Sequence, residues 1–150
     1  MLPSTKDYRR VKRRIDAALE RQIETADEPI ETILDAAADL LGITGSCWHH
    51  TDPGSGLPIA SAMLGAPAGT LEWSLEYEFR RPDVSRFEEL ALRRSPLAAI
   101  SIETGGEVRT STRFHEMIEP AGAADELRVA FVDQFGFWTA LAVFTDRRMT

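Results

Sequence analysis

From Glu126 to Asp146 two alternating runs face each other across Gln134-Phe135-Gly136, and this segment constrains the fold more than any other in the chain. Leu127, Val129 and Phe131 share one side of the first run. On the returning run Trp138, Ala140, Ala142 and Phe144 alternate with Phe137, Thr139, Leu141 and Val143. Side chains alternate faces along a strand, so the pattern predicts an antiparallel hairpin, Glu126 to Asp133 and Phe137 to Asp146, apolar on both faces. Such a hairpin belongs in the middle of a sheet, covered by helices on one face and by a loop layer or a ligand on the other. The expected class is α+β.

A second hairpin is predicted between Ile43 and Leu64, with Thr51 to Gly56 as its turn: Pro53 presets one dihedral and the glycines allow positive ones. Alternation puts Cys47 and His49 on one face and Trp48 and His50 on the other. Metal ligands must converge within about 2 to 2.3 Å of one point. Cys47 with His49 is the one same-face pair here, with no second Cys or His cluster nearby, so neither a metal nor a cofactor is expected. Nucleophilic catalysis by Cys47 needs a base and a group to orient it. His49 is the sole candidate base, and paired carboxylates, a triad or a phosphate loop are missing at usable spacing, so no catalytic residue is assigned. Cys47 and His49 are expected to line the inner face of the sheet, as packing or as pocket wall.

Two helices precede that hairpin. The first, within residues 1–26, opens at Ser4 as N-cap with Asp7 reaching back, and Tyr8, Val11, Ile15, Leu19 and Ile23 form one narrow apolar stripe. Two main readings stay open, that the stripe covers its own domain or that it forms a two-helix seam in a homodimer, with DNA binding by the basic flank a distant third. The second helix starts near Asp27 and Pro29, presents Ile30, Ile33, Leu34, Ala37, Leu40 and Leu41, and stops at Gly42. Its alanines at 36, 37 and 38 suit a helix lying on the back of a small sheet. Between the hairpins, Leu71, Trp73, Leu75, Tyr77 and Phe79 alternate with polar residues and predict a strand, above all at Glu76 to Phe79, with a helical turn after Thr70 as the alternative start. A helix is predicted from Pro82 and Asp83, with Asp83 as cap, to Arg93 and Arg94. Ser111 is expected to cap a short helix holding Phe114, Met117 and Ile118. The irregular segment from Ser95 to Gly122, which contains His115, has the length of a functional lid or binding loop.

With 150 residues the chain fits one core. Lys6, Arg9, Arg10, Lys12, Arg13 and Arg14 stand against Asp7 in the first 14 residues, yet the net charge is −7. A basic leader on an acidic body disfavours nucleic-acid binding by the sheet-bearing part. One cysteine forms no internal disulfide, no run of about 20 apolar residues spans a membrane, and residues 1–14 lack the apolar core of a secretory signal. A cytoplasmic location is expected, with no membrane partner.

Cys-Trp-His-His-Thr-Asp-Pro at 47–53 followed by Gly-Leu-Pro, Tyr-Glu-Phe at 77–79 before Asp-Val-Ser-Arg-Phe-Glu-Glu-Leu-Ala, Glu-Thr-Gly-Gly, Ser-Thr-Arg-Phe-His-Glu, Asp-Glu-Leu-Arg-Val-Ala and Phe-Trp-Thr-Ala-Leu-Ala-Val-Phe stand in this order. In order and spacing they resemble the N-terminal GAF-like sensor region of actinobacterial LuxR-type helix-turn-helix transcriptional regulators. The resemblance covers most of the chain, rests on hairpin and core patterns, and includes no catalytic signature. It implies a GAF/PAS-like antiparallel sheet at 27–147, with N-terminal helices on one face and a loop and helix layer over the other, and 148–150 as the start of a linker. It implies a ligand-sensing, dimerising domain that acts on DNA only through a C-terminal helix-turn-helix absent from these residues. The small-molecule effector is unknown, with Cys47, His49, Trp73, Tyr77, Phe114, His115 and Trp138 as its candidate contacts and Tyr8, Val11, Ile15, Leu19 and Ile23 as the candidate dimer seam. Such regulators commonly have Trp-Gly in the last strand. Trp138-Thr139 adds a side chain there, so the pocket is expected to be smaller or filled, and a purely structural dimerisation module with a packed core is the alternative.

Overall fold

The computed structural model describes residues 4–81 and 83–149. The chain divides into two compact units, Met1–Ile43 and Thr44–Thr150. The first holds α1 (Thr5–Leu19) and α2 (Asp27–Leu41). Ser4 and Asp7 form the expected reciprocal cap: the Asp7 amide donates to Ser4 Oγ at 3.2 Å and the Ser4 amide to Asp7 Oδ2 at 3.2 Å. Gly42 closes α2 in the left-handed region, φ 66° and ψ 46°, its amide donating to the Ala38 carbonyl. Within this unit Val11 and Ile15 pack on Ala36, Ala37, Leu40, Leu41 and Ile43. The middle of the α1 stripe thus covers its own unit, while Tyr8 (62% exposed) and Leu19 (40%) stay in solvent. Ile23 falls outside α1, a correction to the predicted stripe. The α1 helix ends at Leu19, and the Glu24 amide donates to Glu28 Oε2, in the first turn of α2, at 3.0 Å.

The second unit is built on a sheet of five antiparallel strands. In chain order its elements are β1 (Ile43–Thr51), β2 (Pro58–Leu64), α3 (Thr70–Phe79), α4 (Phe87–Leu90), β3 (Leu97–Ala99), α5 (Ile100–Glu103), a 3₁₀ turn at Val108–Thr110, a π-type turn at Phe114–Ile118, β4 (Asp125–Asp133) and β5 (Gly136–Thr145). The strand order is β2-β1-β5-β4-β3, so both predicted hairpins form and the second lies inside the sheet. His49 pairs with Ser61 and Cys47 with Met63 across the first hairpin, and Arg128 with Ala142 across the second. The two hairpins meet where a Cβ at Gly136, which sits at φ 143°, would run into the Pro53 carbonyl.

One face of this sheet is floored by small side chains, Cys47, Ala98, Ala130, Ala140 and Ala142, and Phe87 and Leu90 of α4 drop onto that floor. Ile100, Val108, Phe114, Ile118, Ala123 and Phe144 make a second cluster at the other end. No helix among the described residues is long and apolar enough to cross a membrane.

Three expectations are corrected. Residues 70–79 are helical, because the inward positions Thr70, Ser74, Tyr77 and Glu78 recur at helical spacing while Trp73 and Phe79 face outward. Asp83 caps no helix; its Oδ2 accepts from the Arg113 amide at 2.7 Å and Ser111 Oγ at 3.0 Å, leaving α4 only four residues. Pro82, the other expected start, lies outside the described residues. The Leu127, Val129 and Phe131 face of β4 is only half-buried, and the more deeply buried face carries Glu126, Arg128 and Ala130. Ser111 behaves as expected, accepting from the Phe114 amide at 3.2 Å.

Candidate functional site

A cavity of about 240 Å³ opens on the covered sheet face, between α3, α4, the first hairpin turn and the start of β5. Ala140 of the small-residue floor and Phe87 of α4 both border it. Leu57, Leu75, Phe79, Phe87 and Phe137 supply apolar wall, and His49, Thr51, Ser55, Ser74, Glu78 and Glu88 the polar atoms.

His49 is held between two hydroxyls, Nδ1 at 2.5 Å from Ser61 Oγ and Nε2 at 3.0 Å from Ser74 Oγ. Ser74 gives its hydrogen to the Leu71 carbonyl at 2.8 Å, so towards His49 it accepts. The hydrogen-bond network thereby assigns the tautomer: Nε2 carries the proton and Nδ1 accepts from Ser61. Burial, with the Arg128 and His50 charges behind it, lowers the imidazole from 6.5 to about 4, so the ring is neutral. Cys47 lies in the floor, its thiol pushed up to about 12 by burial and by the nearby Glu126 carboxylate.

Beneath the cavity runs a buried ion network that the sequence reading did not identify. Glu126 receives Arg113 Nε on Oε2 at 2.6 Å and Arg128 Nε on Oε1. Arg128 Nη1 continues to Glu78 Oε2 at 3.0 Å and to the Ser85 carbonyl at 3.2 Å, with its guanidinium 4.4 Å from the Phe87 ring centroid. Glu78 Oε1 accepts from the Phe87 amide at 2.6 Å, so one carboxylate caps α4, walls the cavity and anchors the network. Desolvation by itself raises the Glu126 carboxyl, but the two guanidiniums outweigh it and hold it below the ordinary value. One signal was available: Glu126 and Arg128 share a face of a strand predicted to be covered on both sides, where charges must pair.

The candidate contacts are dispersed. His49 lines this cavity. Tyr77 is fully buried, donating its hydroxyl to Glu116 Oε2 at 2.6 Å. Arg81 clasps the same carboxylate at 2.6 and 3.0 Å and, with Tyr77, holds it down at about 2. Trp73 borders a separate cavity of about 210 Å³ with Pro67, Met117, Pro120 and Phe144. Phe114 packs in the second core cluster and His115 is exposed. Trp138 is half-exposed, its Nε1 donating to Asp133 Oδ1 at 2.8 Å. Residues 95–122, expected to close the pocket, contribute nothing to the first cavity; α3, α4 and the hairpin turn close it. Among the described residues no group of three or more His, Cys, Asp or Glu side chains is placed to hold a metal ion. The chain matches no protein-family model and no curated protein.

Proposed function

We propose that this chain is the ligand-sensing and dimerising region of a GAF-like, LuxR-type transcriptional regulator, acting by binding and not by catalysis. The observation that carries the reading is the 240 Å³ cavity, bordered by a carboxylate that also anchors the buried network. Occupancy of that cavity bears directly on Glu78 and Phe87, and so on the seating of α3 and α4. A ligand shifts such a seating only as far as it prefers one arrangement over the other. The strand order β2-β1-β5-β4-β3 with helices over one face is in keeping with a GAF/PAS-like sheet. Catalysis is disfavoured by the bond directions, since His49 donates to Ser74 where a general base would accept, and by a Cys47 thiol that burial keeps protonated.

A thermal-shift screen against a broad set of small metabolites tests the sensing reading. A ligand at 100 times its Kd stabilises the protein by about 2.7 kcal/mol, and Leu75→Trp, which fills the cavity from α3, abolishes the shift. No shift across the set favours a packed structural module.

Dimerisation is assigned to the exposed part of the α1 stripe. Leu19→Asp is expected to give a monomer by light scattering with the far-UV spectrum unchanged, because Leu19 is 40% exposed within the chain. A dimer that persists removes the seam from α1. Ile15 is a poorer probe, since it packs in its own unit.

A further inference from the structure

The cavity's polar lining is one-sided in a way that selects its ligand. Thr51 Oγ1 donates to the Phe137 carbonyl, Ser55 Oγ to Asp52 Oδ2 at 2.7 Å and Ser74 Oγ to the Leu71 carbonyl at 2.8 Å. His49 gives its one N–H to Ser74. The backbone of the turn is committed too: the Ser55 amide bonds Asp52 Oδ2 at 2.9 Å, the Gly56 amide the Asp52 carbonyl at 2.7 Å and the Leu57 amide Ser55 Oγ at 3.3 Å, while Pro58 has no N–H. The Phe87 and Glu88 amides both point at Glu78 Oε1.

What remains at the wall is acceptor capacity. A hydroxyl oxygen has two lone pairs and a carboxylate about four acceptor positions, of which Glu78 uses about three on Phe87, Glu88 and Arg128. Glu88, paired with Arg86 at 2.9 Å, adds a second carboxylate at the rim. Neither Lys nor Arg is among the described residues lining the cavity. Two guanidiniums stand behind the lining carboxylates and are engaged there: Arg86 pairs with Glu88 and Glu89, and Arg128 is turned to Glu78 and Glu126 and stacked on Phe87. Phe79 and Phe137 line the cavity as well, and aromatic rings attract a cation; the Phe87 ring already carries Arg128.

We propose that this cavity binds a small apolar molecule ending in a protonated amine, and excludes carboxylates and phosphates. An ammonium group brings three donors and no acceptor, the complement of a wall that has acceptors and no uncommitted donor. An anion finds no uncommitted donor among the lining residues and faces the Glu78 and Glu88 carboxylates. At about 240 Å³ the cavity falls below the roughly 300–1,000 Å³ of pockets for drug-sized ligands, which limits the occupant to a compact body of about one ring.

The inference rests on the sensing reading of the same cavity, and three probes sharing one body separate the two. Titration calorimetry with 2-phenylethylamine, 2-phenylethanol and phenylacetate is expected to rank them in that order. The alcohol binds about tenfold weaker than the amine, the margin of a charge-assisted over a neutral hydrogen bond, and phenylacetate does not bind measurably. Leu75→Trp, checked for an unchanged far-UV spectrum, removes amine binding. Phenylacetate binding as well as the amine and blocked by Leu75→Trp would overturn the amine assignment and leave the cavity a sensor. Amine binding untouched by Leu75→Trp places the ligand elsewhere and overturns the assignment, as does no binding by any of the three.

Discussion

Replacing Glu126 by Gln is expected to lower the unfolding free energy by about 3–5 kcal/mol, read as a shift of the urea midpoint at constant slope. Glu126 is 1% exposed and sits between Arg113 at 0% and Arg128 at 2%. Its removal leaves two guanidiniums out of water with one shared anion gone. Asp83, 3.4 Å from Arg113 Nη1, and Glu78 are the remaining partners, and each already serves backbone amides. The contrasting experiment is Glu89→Gln, which breaks the solvent-facing pair with Arg86 at 3.3 Å. That change is expected to move stability by less than about 1 kcal/mol, because exposed pairs gain little over hydration. A Glu126→Gln effect as small as that of Glu89→Gln would mean that the guanidiniums reach water.

The same residues explain what the sequence made legible. The hairpins could be read because strand-forming residues run on either side of short turns that carry Pro, Gly and Asp in the first and Gly in the second; the Asp52 carboxylate does accept from the Ser55 amide. The α1 cap and the Gly42 stop were legible for the same reason, being local chemistry with one geometric solution. Helix α3 was misread because its buried face is polar. Ser74 goes to His49 and Glu78 to Arg128, while Trp73 and Phe79 stand half in solvent, so hydrophobic alternation reported the wrong period. Asp83 was misplaced as a cap because its partners, Ser111 and the Arg113 amide, are remote in sequence. The cavity wall shares this property: Ser74, Glu78 and Phe87 meet His49 only through tertiary contacts, and no local spacing announces them.

His49 makes the cavity floor sensitive to acid, with a sign that follows from its neutral state in the fold. Burial lowers its folded value from 6.5 to about 4. The unfolded chain therefore binds the proton first as pH falls, and stability is fully present above about pH 6.5 and declines through the interval down to about 4, where the loss levels off. At about 1.36 kcal/mol per pH unit the cost is roughly 2 kcal/mol by pH 5 and roughly 3 kcal/mol by pH 4. Urea unfolding between pH 7.5 and 5 reads the change above the range of the carboxylates lowered by partners, Glu116 and Glu126 among them, and a His49 variant assigns it to this group. His49→Asn keeps a neutral polar side chain against Ser61 and is expected to flatten the profile between pH 6.5 and 5, from a lower plateau because one serine contact is lost. If the intact protein is equally stable at pH 7.5 and 5, the imidazole takes up its proton in place, and the hydroxyl clamp of Ser61 and Ser74 does not hold it neutral.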